Sequence, residues 1–302
     1  MTGPAYYGRP ILKAPVWKGE IGWYLFTGGL AGASSTLALL ARAFGNPVLA
    51  RRAALIATGA VNASPALLVK DLGRPERFAN MMRVFKPSSP MNLGTWLLLG
   101  SGAATTAGTV LDLAGAAPRL RSALGAVAGL AGLPLSVYTS VLLGDTANPA
   151  WHEARRELPF LFASGAAASA GAAAVLATPP EHAGPARRAM LLGTVGSQIA
   201  ETVMERRIGT AAEAYSTGRA GMNRRAARIL DAAGLGFSLS GGLRRRRIGA
   251  ALLLGGAVAS RFSVFKAGFQ AAQDPRYVLD AQRPGAVADE RHAPHAWRRS
   301  RT

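Results

Sequence analysis

The sequence predicts an all-α, polytopic membrane protein of about eight transmembrane helices, arranged as two four-helix bundles. Three observations carry this. Long apolar runs of spanning length recur along the 302 residues. Charged residues make up only 17% of the chain, where a soluble domain carries roughly 25%. The 36 glycines would weaken the helices of a soluble protein, but in a membrane they let helix backbones approach closely.

The apolar runs fall at residues 21–41, 53–69, 92–111, 122–144 and 158–177, then at 189–203, 226–243 and 248–270. The sixth is short. The seventh has Arg228 and Asp231 near its start, and the eighth contains Arg261 and Lys266. The runs exceed the ten or so residues of a transmembrane strand and lack its period of two. Helix-stopping pairs separate them, among them Asn46-Pro47, Lys86-Pro87 and Asn148-Pro149. Residues 1–271 form the membrane domain, and 272–302 are expected to be a polar, basic tail, either mobile or laid on a partner. The first twenty residues are polar and lack the layout of a cleavable signal peptide.

The net charge of +19 would suit a nucleic-acid binder were the basic residues not confined to short clusters between uncharged runs, as in membrane loops. With eight spans both termini share a side, and that side holds roughly a two-to-one excess of Lys and Arg. This predicts a bacterial plasma-membrane protein with both termini in the cytoplasm. The Arg244–Arg247 run falls on the other side and argues against that orientation.

Polar residues within spans mark the candidate sites, because charge at membrane depth is costly. Counting from span ends places Tyr24, Tyr138, Glu201, Asp231 and Arg261 in one shallow layer near the cytoplasmic face. The tyrosines suit an interfacial belt, or the binding of a quinone headgroup, which needs donors to its carbonyl oxygens in an apolar slot. Reduction also needs a titratable group, and Glu20 and Glu201 are candidates for a proton relay. Glu201 with Arg261 also reads as a structural ion pair. The charged loop Asp71, Arg74, Glu76 and Arg77 is either a helix-end network or a surface for docking a partner or taking up protons. The rival reading is a proton- or solute-translocating protein using Glu201, Asp231 and Arg261, although mid-membrane charge and an internal repeat are not evident.

Some cofactors are excluded from the chain itself. With no cysteine it cannot ligate an iron–sulfur cluster. His152, His182, His292 and His295 all fall in loops or the tail, which disfavours a membrane haem held by two histidines. No nucleotide, phosphate or zinc motif is present.

The stretch Asp71-Leu-Gly-Arg-Pro-Glu-Arg-Phe78, followed by Arg83-Val-Phe-Lys-Pro-Ser-Ser-Pro-Met91, resembles the NrfD/polysulfide reductase membrane subunit family. Trp23–Gly32, Tyr138–Gly144 with Pro149 and Trp151, and Leu158–Ala163 also fit, as do Ala214-Tyr215, Gly218–Gly221, Asp274–Tyr277 and Gln282–Pro284. The resemblance implies an eight-helix, haem-free anchor that binds menaquinone or ubiquinone. It further implies a four-cluster iron–sulfur subunit and a molybdopterin catalytic subunit as partners. The family's quinone-holding positions on spans one and four correspond to Tyr24 and Tyr138. Histidine is frequent at the span-one position, so Tyr24 is a departure.

Overall fold

A computed structural model describes residues 11–74 and 76–282. The expected tail thus falls partly outside the described residues, as do Arg283-Pro284, His292 and His295.

Among the described residues the chain is helical throughout, with no strand. The helices are α1 (Gly19–Ala43), α2 (Pro47–Leu72), α3 (Glu76–Met81), α4 (Pro90–Leu113), α5 (Pro118–Gly144) and α6 (Pro149–Glu153). They continue as α7 (Leu158–Ala177), α8 (Gly184–Arg207), α9 (Glu213–Ser216), α10 (Gly218–Leu239), α11 (Leu243–Gln273) and α12 (Pro275–Gln282). Several starts follow from local chemistry. Proline stands in the first turn of α2, α4, α5 and α6, where its missing N–H costs nothing. Asn46 accepts from the Leu49 N–H at 3.1 Å and Ser89 from that of Asn92 at 3.4 Å, capping α2 and α4.

Among the described residues five helices (α1, α2, α5, α7 and α11) are long and apolar enough to cross a membrane. The others of comparable length are α4, α8 and α10, with 24, 24 and 22 residues. Their apolar character is diluted by the hydroxyls of α4 and the charges of α8 and α10. Large side chains such as Leu130, Phe160, Leu192 and Ile229 are more than 60% exposed. Hydrocarbon presented outward from many helices is the surface a lipid-facing protein requires, and the chain is a multi-pass membrane protein.

The first four long helices pack together, α1 against α2 and α5, and α4 against α5. In the second set α7 holds α8 and α11, and α11 holds α10. Side chains join α8 to α10. The sets meet where α1 packs on α7 and α11. Close approach depends on missing side chains. A β-carbon at Gly32 or Gly132 would strike the other helix's backbone at the α1–α5 crossing, and Gly171 and Gly193 play the same part between α7 and α8.

Most helices extend a few residues beyond the expected runs, and two extensions change the reading. Helix α10 begins at Gly218 rather than near 226, and α11 takes in Arg244–Arg247, expected as a loop. The turn falls instead at Gly241 and Gly242, whose φ values of +80° and +76° suit glycine. Part of the expected tail is also ordered against the chain: Tyr277 and Val278 of α12 are buried.

Candidate functional site

At the end of the first bundle where α1 and α4 begin and α2 and α5 finish, the helices part around a cleft of about 690 Å³, its open mouth included. Tyr24 and Tyr138 stand inside it. Measured along their helices, Tyr24 lies five residues from the start of α1 and Tyr138 six from the end of α5, roughly 8–9 Å in. Tyr24 is buried and Tyr138 half-buried, and their phenols are near enough to interact with one another. Gly94 of α4 makes room for the second ring: a β-carbon there would fall within the Tyr138 side chain.

The loop motif supplies the lid. Asp71, Phe78, Met81 and Met91 line the cleft together with Thr95 and the apolar Ile21 and Leu25. Asp71 accepts the Lys18 backbone N–H at 2.7 Å. That bond pins the segment before α1 to the end of α2 and sets Trp17 into the cleft wall, where it stacks on Trp151 with ring centroids 5.5 Å apart. The walls are therefore mostly apolar, with two phenols and a hydroxyl within and a carboxylate at the rim.

The structure separates the other candidates. Glu20 does not line the cleft but pairs with Lys70 at 3.0 Å beside it. Arg74, Glu76 and Arg77 are exposed at the surface of the same loop. Glu201 lies in the second bundle, where it meets Arg224 at 2.8 Å and Arg228 at 3.1 Å, with Glu205 completing a four-residue network between α8 and α10. The expected pairing of Glu201 with Arg261 does not form. Buried Arg261 instead donates to the Phe162 carbonyl at 2.7 Å and stacks over the Phe162 ring at 3.8 Å. Asp231, also buried, accepts from Gln198 at 2.6 Å.

The single shallow layer also divides. Tyr24, Tyr138 and Glu201 lie within six residues of their helix ends, whereas Asp231 is thirteen residues into α10 and Arg261 twelve from the end of α11. The reason is the early start of α10 and the extra length of α11.

Sequence reasoning missed Trp17, Thr95 and the space-making Gly94. It also missed the clamp that joins the cleft to the second bundle. Trp151 is fully buried and donates to the Val264 carbonyl at 2.8 Å, Asn148 donates to that of Gly268 at 2.7 Å, and the Tyr215 hydroxyl donates to that of Ala150 at 2.9 Å. Burial raises the Tyr215 phenol well above its ordinary pKa, so it is a neutral donor. The Asn148-Pro149 break and Trp151 were visible signals, but their partners lie far along the chain.

Among known families, the model for polysulphide reductase, NrfD, matches residues 12–184. No curated protein matches the chain.

Proposed function

The chain belongs to the NrfD (polysulphide reductase) family, and from that premise we propose that it is the membrane subunit of a respiratory oxidoreductase complex, passing electrons between a membrane quinone and an iron–sulfur partner subunit. The observation that carries the reading is the pair of adjacent phenols inside an apolar cleft near one end of the bundle. A few polar groups among apolar walls are what fix a small ligand's orientation.

A bound menaquinone or ubiquinone supplies two-electron, two-proton redox chemistry. Tyr24 and Tyr138 would donate to its headgroup oxygens, with Thr95 beside them. Asp71 at the rim and Glu20 next to it are the nearest carboxylates for proton exchange with the aqueous side. Glu201, held between two arginines of α10, serves instead to fix α8 against α10. Because the sequence has no cysteine, the clusters belong to the partner. A four-cluster iron–sulfur subunit would cover the face formed by α3, α6, α9 and α12, with a molybdopterin subunit beyond it. All eight long helices would cross a bacterial plasma membrane, with that face and both termini on the cytoplasmic side.

Purified Tyr138→Phe should bind a soluble quinone analogue more weakly than wild type and, in the assembled complex, turn quinone over more slowly. Unchanged binding and turnover would remove Tyr138 from the site.

A further inference from the structure

The far end of the first bundle holds a second cleft that the quinone reading does not use. Four helix ends converge there. Asp112 of α4 accepts from Arg42 of α1 at 3.4 Å and lies 3.2 Å from Arg121 of α5 and 3.5 Å from Arg51 of α2. One carboxylate among three guanidiniums leaves an excess of two positive charges. The distances exceed the roughly 2.7–2.9 Å of a strong charge-assisted hydrogen bond, and the buried Nε of Arg121 has no hydrogen-bond partner. Asp112 therefore organises the arginines without satisfying them.

Behind the arginines a cleft of about 500 Å³ runs into the bundle. From Arg42 down to Ser35 it covers seven residues of α1, about 10 Å. Ala38, Leu39 and Ala104 form its walls, and Gly108 and Gly125 keep it open. Of the deeper hydroxyls, Thr109 is engaged with Thr58 at 2.8 Å and Thr105 with Ser35 at 3.4 Å, while Ser122 stands next to Arg121 at the mouth. So the depth of the cleft offers mainly apolar contact, and the unmet demand for an anion is at its mouth.

We propose that this cleft binds one anionic phospholipid, its phosphate held by Arg42, Arg51 and Arg121 and its apolar part laid along α1 toward Ser35. Guanidinium forks match phosphate oxygens, and the ends of membrane-spanning helices lie at the level of the lipid headgroups. A free phosphate would satisfy the mouth but leave the apolar slot without an occupant.

Native mass spectrometry of the protein reconstituted with phosphatidylglycerol or phosphatidylcholine tests this. Wild type should retain one phosphatidylglycerol and no phosphatidylcholine. At about fivefold per basic charge near the membrane surface, Arg42→Gln with Arg121→Gln should weaken retention about thirtyfold. Asp112→Asn, which frees one more positive charge, should strengthen it about fivefold, a gain that misfolding cannot imitate. Equal retention of the two lipids, or no gain in Asp112→Asn, overturns the proposal. So does inorganic phosphate that displaces the lipid at equal concentration, because the site would then be one for a free anion.

Discussion

Replacing Gly94 by alanine asks whether the cleft depends on the seating of Tyr138. The added methyl group would overlap the Tyr138 ring, and Tyr138 is itself a cleft-lining residue, so the ring must turn away from its seat. Two effects compete. Alanine favours the helix by about 1 kcal/mol over glycine, which raises the stability of α4. Overpacking costs about 1–3 kcal/mol, and here it falls on the residue proposed to hold the quinone. The variant should therefore remain folded while its quinone affinity drops by about 5- to 150-fold. Trp17 in the cleft wall provides the assay, namely quenching of tryptophan fluorescence by a titrated quinone analogue. The same substitution made in a Tyr138→Ala background should cost almost nothing further, since the ring it would displace is gone. An equal loss in both backgrounds would show that Gly94 acts without Tyr138 and would refute the reasoning.

Two other outcomes are expected. Asp71→Ala removes the acceptor of the Lys18 N–H and should release the segment bearing Trp17, seen as faster proteolysis between residues 11 and 18 and weaker quenching; unchanged cleavage would show that the strap is held elsewhere. Asp231→Asn keeps an acceptor for Gln198 and lies outside the cleft, so quinone binding should stay within about twofold of wild type. A large loss there would favour the translocation reading over a site confined to the first bundle.

The all-helical membrane fold was legible because hydrophobic run length is a local property. Tyr24 and Tyr138 could be singled out for the same reason, since depth along a span is counted from its ends. What remained hidden depends on convergence. Arg42, Arg51, Asp112 and Arg121 lie on four helices and meet only when the bundle closes. Glu201 pairs with Arg224 and Arg228 rather than Arg261 because α10 lies beside α8, a helix neighbourhood that run lengths do not reveal. Trp17 belongs to a polar segment without periodicity, and the Asp71 bond and the stacking on Trp151 bring it to the site. Gly94 looked like one more glycine of a membrane helix until the ring it accommodates was in view.

Every residue lining the cleft around Tyr24 and Tyr138 lies between Trp17 and Leu143. The second half of the chain reaches it through Trp151, stacked on Trp17 and anchored to α11. The first half thus supplies the whole lining of the cleft, whereas the second supplies a supporting wall, its anchor and the α9 and α12 part of the same end. A chimaera joined between Trp151 and α8 would therefore keep the whole cleft lining while exchanging α9 and α12, separating the cleft from half of the face proposed to meet the partner.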